Sequence, residues 1–537
     1  MNTQEDPSRK FYHRGADLQR EWRLEEAIAS YSEAIHLDPL FAEAYCDRGT
    51  ALYRLRRFEQ AQKDYERAVA LAPEHSNIRL NKAMFELLLG NYTVGWKEYE
   101  YRDASKAPLS ANLPAERRWR SDRALLSEMA GQSILIYGEG GFGDFFQFCR
   151  YVPLLAQQGL RVVLSAHPAV ERLMRQSFSG LQIEVVPENE IPAELDWHCS
   201  VMSLPSLFQT SIESIPATLP YLFAAPEKVN VWRTKLGTGG LRVGVVWSGG
   251  AHQDPIQRVV VNAHRNLPPA LLAQLAVPGV EWFSLQKGQA AQAAWTHLLA
   301  EGWRGQRIVD LTDDLLDFSD TAALIECLDL VISVDTAVLH LAGAMGKPVW
   351  MLDRFDHCWR WLLKQNNSPW YPNLRIFRQP VRGDWDSVLG LVRESLSIWV
   401  REKGGAKASP PTVPFNAGEQ LKLAVYQLQS GRSQEALQLL KEVLLERPKD
   451  PWVLYLLGTA QHELSAHAEA LLFLDQALAL APDIAEAWFN RGLVLCDLQQ
   501  PKQALESFDR ALEIRPEYAK AQAYRQRVAF EMAQTRK

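Results

Sequence analysis

Cysteine is scarce in this chain of 537 residues, which contains only six. The six are scattered, and no two of them form a CxxC pair of the kind that holds zinc or carries redox chemistry. Scattered cysteines are typical of proteins in a reducing compartment. The sequence therefore argues against a disulfide framework and against a structural metal, and we expect a cytoplasmic protein.

The chain also lacks a strong net charge and a long apolar run. Its formal net charge is -6, so it has no basic field that would attract nucleic acid. The first residues, MNTQEDPSRKFYHR, have no apolar segment of the signal-peptide type. No later run is long enough to cross a bilayer. We expect no nucleic-acid partner and no transmembrane segment.

The sequence does have an internal repeat near its N-terminus. Between residues 11 and 102 small and aromatic residues and proline recur 34 positions apart, as in the pairs Gly15/Gly49, Ala27/Ala61, Tyr31/Tyr65, Ala34/Ala68 and Pro39/Pro73. A third unit keeps Ala83 and Tyr99 in phase. Small residues let paired helices approach closely, and proline interrupts the chain between pairs. We predict that these phased residues pack helices together and bind no ligand.

Residues 419–527 repeat with the same period, as shown by Pro448, Pro482 and Pro516, by Gly458 and Gly492, and by Ala436, Ala470 and Ala504. Both repeat regions resemble tetratricopeptide repeats (TPRs), which form α-solenoids. Residues 403–414, KGGAKASPPTVP, have linker composition. Solenoids present concave surfaces to peptides or helices. Two further interpretations are self-association and simple capping of the middle of the chain.

The middle of the chain alternates short apolar runs with helical patterns. Predicted strands fall at 133–137, 161–165, 183–186, 241–247, 280–285, 307–310, 330–334 and 349–352. Strands that alternate with helices indicate parallel sheets. Because residues 216–240 separate two sets of strands, we predict two doubly wound halves that face each other across a cleft.

A glycine-rich turn follows the first predicted strand of the middle region. Gly140, Gly141 and Gly143 let the backbone approach a ligand, and Asp144 stands at the beginning of the next helix. A carboxylate at that position suits proton abstraction from an acceptor hydroxyl. The alternative is that Asp144 only caps the helix.

The second half opens with a comparable turn. Ser248 and Gly249 follow a strand, and their N–H groups are candidates for phosphate oxygens. Arg265, further along the same loop, has the planar fork that suits a diphosphate, although a solvent-facing arginine is an equal alternative. Lys287 also follows a strand and is therefore expected at the same edge of the sheet.

Residues 328–352 contain the most informative strand-turn-helix. After the strand at 329–334 come Asp335 and Thr336, which are helix-capping types, and then a small, apolar helix that Gly346 ends. A helix N-terminus at the carboxyl edge of a parallel sheet is a phosphate site. His340 lies one turn into that helix, where it either contacts a ligand oxygen or satisfies a strand carbonyl. The simpler alternative is an ordinary βαβ unit.

Two aromatic groups follow, Trp359-Arg360-Trp361 and Trp370-Tyr371. Aromatic rings of this kind can stack on a base or a sugar. They can also form a hydrophobic latch that packs a terminal helix onto the cleft. We favour the latch.

Together these motifs are similar to those of GT-B glycosyltransferases of the heptosyltransferase-like type, glycosyltransferase family 9. The resemblance rests on GFGD at 141–144, VWSGG at 246–250, DFSDTAALI at 317–325, SVDTAVLHLAGAMGKPVW at 333–350 and SPWYP at 368–372. It implies an α/β plus all-α protein, with a double Rossmann-like GT-B region between N- and C-terminal TPR solenoids. The expected divisions are repeats at 1–105, GT-B halves at 106–235 and 236–402, a linker at 403–414 and repeats at 415–537.

The resemblance also implies roles for individual residues. Asp144 would be the catalytic base, Asp335 and Thr336 the donor-phosphate turn, Arg265 the cation for the donor diphosphate, and His340 the family's helix histidine. The sequence departs from the family at Ala337, where heptosyltransferases generally have glycine, so the donor sugar is not implied. The expected reaction is metal-independent and inverting, with a nucleotide-sugar as substrate and no cofactor.

The repeats imply that the acceptor is a protein or peptide. Two alternatives remain open. The chain is a TPR scaffold whose degenerate GT-B region does no chemistry, or it is a transferase that acts on a small glycan and uses its repeats for assembly.

Overall fold

The computed structural model describes residues 6–102, 113–119, 126–188, 190–192, 194–237, 239–250, 264–303, 305–363, 365–403 and most of 421–534, except 422–423, 426–427 and 429–432. The chain divides into two compact units, Met1–Ala408 and Ser409–Lys537. The predicted linker at 403–414 lies outside the described residues except for Lys403. None of the described helices has the length and apolarity needed to cross a membrane.

The first unit begins with three antiparallel helix pairs, which are α1 Pro7–Arg20, α2 Leu24–Leu37, α3 Ala42–Arg54, α4 Phe58–Leu71, α5 Ser76–Leu89 and α6 Tyr92–Tyr99. The phased residues lie between the helices: Tyr31 is fully buried, and a Cβ added to Gly15 would lie only 2.7 Å from its ring. The predicted packing role of the phased positions is therefore confirmed for this pair.

The α/β region follows with a four-stranded sheet. Its elements are β1 Ser133–Tyr137, α7 Phe142–Phe148, α8 Val152–Gln157, β2 Arg161–Ala166, α9 Pro168–Ser177, β3 Ile183–Pro187, β4 Trp197–Ser200, α10 Leu204–Leu207 and α11 Pro226–Leu236. The strand order is β3-β2-β1-β4, and every pair is parallel.

A six-stranded sheet forms the second half. Its elements are β5 Leu241–Val246, β6 Val280–Ser284, α12 Gln289–Ala300, β7 Ile308–Asp310, α13 Phe318–Glu326, β8 Leu330–Val334, α14 Ala337–Ala344, β9 Val349–Asp353, β10 Leu374–Arg378 and α15 Trp385–Lys403. The order is β10-β9-β8-β5-β6-β7, again all parallel. Because parallel strands end at one edge, the turns after β5, β6, β8 and β9 all lie along the same side of this sheet. The predicted pair of parallel sheets is confirmed.

The third helix pair is built into the core of the α/β region. The Trp96 ring lies 5.3 Å from that of Trp359 and 5.9 Å from that of Phe148, measured between centroids. The Trp370 indole N–H donates to the Tyr92 hydroxyl at 3.1 Å. Since all these side chains are buried, the third helix pair shares one hydrophobic core with residues of both sheets.

The second unit is a separate stack of helices, namely α16 Ser433–Glu446, α17 Pro451–Glu463, α18 His467–Leu480, α19 Ala485–Asp497, α20 Pro501–Ile514 and α21 Ala519–Gln534. As in the first unit, glycine permits the close approach of paired helices. A Cβ on Gly492 would lie 2.4 Å from the Phe508 ring. The predicted helical repeats at both ends are confirmed.

Candidate active site

Asp144 lies in the first turn of α7, directly after the glycine-rich turn. Gly140 has a φ of 84°, a left-handed conformation that favours glycine. The Asp144 carboxylate accepts a hydrogen bond from the Gly141 N–H through Oδ2, at 3.1 Å. The side chain therefore does cap the helix, as the simpler interpretation expected, and it retains about a quarter of its surface exposed.

The other Asp144 oxygen, Oδ1, forms an ion pair with Arg360, which belongs to the second half. Arg360 also donates through Nε to the Gln147 side chain at 3.0 Å and stacks over the Trp359 ring at 4.3 Å. Burial disfavours the guanidinium charge, but Asp144 holds the pKa of Arg360 above its ordinary value. Sequence reasoning assigned no role to Arg360, because its tryptophan neighbours indicated only packing.

The predicted phosphate turn has the expected local structure. Thr336 caps α14, its hydroxyl accepting from the Leu339 N–H at 3.4 Å and lying 2.9 Å from the Ser333 hydroxyl. The helix begins at Ala337 and ends before Gly346, whose φ is 75°. The positive end of the helix dipole therefore points to the carboxyl edge of the second sheet.

Asp335 is held by side chains from two elements. Its carboxylate accepts from the Trp361 indole N–H at 3.2 Å and lies 3.6 Å from His340 Nε2. Burial by itself would raise the pKa of Asp335, but the hydrogen bond and charge of His340, with the charges of Arg360 and Arg265, hold it well below the ordinary value. Asp335 is therefore an anion in the resting site.

His340 lies where the two halves touch. It is buried, and its Nδ1 lies 3.0 Å from the Tyr371 hydroxyl. The partner of this nitrogen is therefore a side chain, whereas one of the two expectations was a strand carbonyl. A Cβ added to Gly143 in the first half would lie 2.9 Å from His340 Cδ2. The glycine turn and the phosphate-type helix thus meet directly, and Gly143 is required by that contact.

Arg265 reaches the same place from the loop after β5. Its guanidinium donates to the Asp335 carbonyl at 3.4 Å and to the Gly250 carbonyl at 3.0 Å. It lies directly over Gly249, where an added Cβ would be 2.2 Å from the Arg265 Cζ atom. Burial lowers the pKa of Arg265. The structure therefore brings Arg265 and the Asp335 turn together.

Ser248, Gly249 and Lys287 are engaged with the protein itself. The Ser248 N–H donates to the Gln286 side chain at 2.8 Å, and the Gly249 N–H donates to Asn266 at 3.0 Å. Lys287 donates to the Leu315 carbonyl. Gln286, which sequence reasoning overlooked, is buried and also donates to the Ser248 carbonyl at 3.0 Å. It ties the turns after β5 and β6 together.

The aromatic groups pack as a latch, although not on the predicted element. Trp361, Trp370 and Tyr371 are fully buried, which agrees with the packing interpretation. Trp370, however, packs against the third repeat pair through Tyr92, where a terminal helix of the cleft was expected. The difference arises because the third repeat pair is part of the core of the α/β region.

Different known protein families match the helical repeats and the α/β region of this chain. Residues 42–75 and 485–518 match a family described as tetratricopeptide repeat, residues 23–56 one described as TPR repeat, and residues 427–490 a further tetratricopeptide repeat family. Residues 284–352, from the end of β6 to β9, match glycosyltransferase family 9 (heptosyltransferase). The chain thus combines terminal TPRs with a family 9-like segment, as the sequence motifs indicated.

Protein FlbA of Caulobacter vibrioides is a relative that is 29% identical over 403 residues. The alignment covers 69% of this chain and 64% of the relative, which is less than two thirds of its length. Among solved structures, the first TPR domain of human RPAP3 is 21% identical and covers 22% of this chain and 93% of its own, with a TM-score of 0.22. YrrB, described as a TPR protein with an unusual peptide-binding site, is 18% identical and covers 26% and 72%, also with a TM-score of 0.22.

Proposed function

We propose that the chain is a glycosyltransferase that moves a sugar from a nucleotide-sugar to an acceptor hydroxyl. The main support for this proposal is that the two halves of the α/β region contact each other through their candidate site residues. Asp144 and Gly143 of the first half contact Arg360 and His340 of the second, at the carboxyl edges of two parallel sheets. The family 9 match, which includes β8 and α14, supports the same reaction class.

The donor would lie against the second half. Its diphosphate would accept from the N-terminus of α14 at Thr336 and from the Arg265 guanidinium, which already lies against the Asp335 carbonyl. The Ser248 and Gly249 N–H groups are bonded to Gln286 and Asn266, so they position the turn. These cationic and dipolar groups would stabilise the departing diphosphate without a metal ion.

Asp144 would act as the general base. The acceptor hydroxyl loses its proton to this carboxylate and attacks the anomeric carbon, while the bond from that carbon to the diphosphate breaks. A single displacement of this kind inverts the anomeric configuration. Arg360 also helps to hold the pKa of Asp335 below its ordinary value, so the charge of this arginine acts both on the proposed base and on the proposed phosphate turn.

A non-catalytic scaffold is the second candidate, and one observation favours it. Both oxygens of Asp144 are engaged by the protein, one by a backbone N–H and one by Arg360. A purely structural aspartate would have the same contacts. The two candidates are separated by measuring whether a panel of nucleotide-sugars stabilises the first unit against heat and whether any of them is turned over.

The Arg265 guanidinium should be displaced by a single methyl group at Gly249. We expect Gly249→Ala to weaken donor binding by about 1.5–3 kcal/mol, the range for a hydrogen bond to a charged group. The cost in stability should be small because the clash falls on the end of a flexible side chain. Calorimetric titration with the donor found in the thermal panel measures the effect.

Gly250→Ala is the matched control, because an added Cβ there has no atom of the described residues within 4 Å. This variant should bind the donor as the natural chain does. Arg265→Ala should reproduce the loss seen in Gly249→Ala. An unchanged donor affinity in Arg265→Ala would remove this arginine from the donor site.

The C-terminal unit is proposed to recruit a protein acceptor. Deleting residues 409–537 removes one compact unit and leaves Met1–Ala408 whole. We expect donor binding to remain and transfer to the protein acceptor to fall, as measured by acceptor labelling at low acceptor concentration. Equal labelling by the shortened and the full chains would show that these repeats do not recruit the acceptor.

A further inference from the structure

The second unit contains a cluster of three metal-ligating side chains that plays no part in the proposed transferase. His462 lies at the end of α17, His467 is the first residue of α18, and Asp497 is the last residue of α19. One donor atom from each of the three lies within 4.8 Å of the others. Among the residues that the structure describes, this is the one such group.

Local structure explains how two histidines five positions apart come together. The turn between α17 and α18 passes through Ser465, whose φ of 61° is left-handed. That turn reverses the chain, so the rings of His462 and His467 lie 5.7 Å apart between centroids. Asp497 is supplied by the first helix of the following pair, so the three residues join two consecutive repeats.

A hydrogen bond between histidine and aspartate does not account for the whole cluster. His462 Nε2 lies 2.7 Å from Asp497 Oδ2, which satisfies that pair. His467 Nδ1 lies 3.9 Å from the same oxygen and is buried without a hydrogen-bond partner. A buried polar atom without a partner is uncommon in native proteins and is often explained by a bound water or ion.

We propose that His462, His467 and Asp497 bind a divalent transition metal ion of the zinc class. Zinc binds imidazole nitrogen and carboxylate oxygen at about 2.0–2.2 Å, and a tetrahedral site then separates its donors by roughly 3.3 Å. The two distances to Asp497 Oδ2, 2.7 and 3.9 Å, lie on either side of that separation. The two histidine donors also lie within 4.8 Å of each other, so small side-chain movements would complete the site.

The donor set also selects the kind of ion. Two imidazoles with one carboxylate suit zinc and its late first-row neighbours, whereas magnesium and calcium prefer oxygen ligands throughout. The side chains are 20%, 29% and 49% exposed, which leaves the fourth position open to water. The ion joins three helix ends, so binding it stabilises the second unit by mass action.

The test is a titration of the full chain with zinc chloride after treatment with a chelator. Calorimetry should give one saturable site, and zinc should raise the melting temperature of the second unit. His467→Ala removes the metal-ligating nitrogen that has no hydrogen-bond partner. Asp497→Asn keeps the shape of the side chain but removes the carboxylate charge. Each should weaken zinc binding at least tenfold without lowering the melting temperature of the zinc-free chain.

His297→Ala is the control, because His297 is an exposed histidine whose nearest ion-pair partner, at 3.2 Å, is the single carboxylate of Glu301. It should bind zinc as the natural chain does, and magnesium chloride should give no saturable binding to any of the proteins. The same zinc affinity in His467→Ala and in the natural chain would overturn the proposal. The absence of saturable zinc binding in the natural chain would also overturn it. None of these outcomes depends on transferase activity.

Discussion

Replacing Asp144 with asparagine should cut turnover by about 10²–10⁴-fold, the usual contribution of a positioned general base. The amide keeps the shape of the carboxylate and an oxygen for the Gly141 N–H, but it cannot accept the acceptor's proton. Donor affinity should change little, because the donor's proposed contacts lie in the second half. Initial rates at saturating donor, with calorimetry on the same protein, measure both quantities.

The ion pair with Arg360 makes a second variant necessary. Asp144→Asn also removes the anion that neutralises Arg360, which should lower the free energy of unfolding by about 1.5–3 kcal/mol. A loss of activity could then arise from a displaced arginine. Arg360→Gln and the double variant Asp144→Asn/Arg360→Gln separate these causes in a double-mutant cycle.

If Asp144 is the base, Arg360→Gln retains much of the activity and the double variant is as slow as Asp144→Asn. If Asp144 only holds Arg360, Arg360→Gln is as slow as Asp144→Asn. Full turnover in Asp144→Asn would end the base assignment and favour the scaffold.

The second large effect is expected at Trp96, which lies in the third repeat pair and is 2% exposed. Trp96→Ala should destabilise the first unit by about 3–5 kcal/mol, the usual cost of truncating a buried aromatic residue to alanine. The reason is that its ring packs against Trp359 and Phe148 of the α/β region. Arg360, the partner of Asp144, directly follows Trp359, so transferase activity should fall as well.

Phe508→Ala provides a matched truncation of a fully buried aromatic residue in the second unit. Chemical denaturation of the full chain should show two transitions, because the two units are separately compact. Trp96→Ala should shift one of them and Phe508→Ala the other. If Trp96→Ala unfolds the repeats without lowering the stability of the α/β region, the shared core does not contribute to the free energy of unfolding of that region.

Local rules were sufficient for the elements whose partners are close in sequence. Thr336 and Gly346 mark the ends of α14 by their side-chain chemistry and backbone freedom, and both have the predicted roles. The strand at 330–334 is buried on both faces, so its continuous apolar run was visible in the sequence. The Asp335 turn followed from these two elements.

Two strands were missed because long-range contacts stabilise them. β4 contains His198, a polar residue that is buried. Its Nε2 lies 2.9 Å from the Pro114 carbonyl, a partner 84 positions away that makes this burial possible. β10 has arginines among its apolar residues. Both are edge strands, and polar residues interrupt the apolar run in each of them.

In the candidate site, too, residues that depend on long-range contacts could not be predicted from the sequence. Asp144 and Asp335 were visible because each follows a strand that the sequence marks clearly. Arg360 was not, because its meeting with Asp144 joins positions 216 residues apart and depends on how the two halves pack. Gln286 was missed because an amide after a strand has no distinctive pattern, although it organises two turns.

The shared core also governs the order in which the protein can fold as it is synthesised. The Tyr92 hydroxyl and its partner Trp370 are separated by 278 positions. At a synthesis rate of about 5–20 residues per second, the ribosome needs roughly 15–60 s to deliver that partner. During that interval the helices of the third repeat exist without the tryptophans that cover them. The nascent chain therefore exposes this aromatic face until the α/β region is complete, and exposed apolar surface of this kind favours contact with chaperones or with a neighbouring nascent chain.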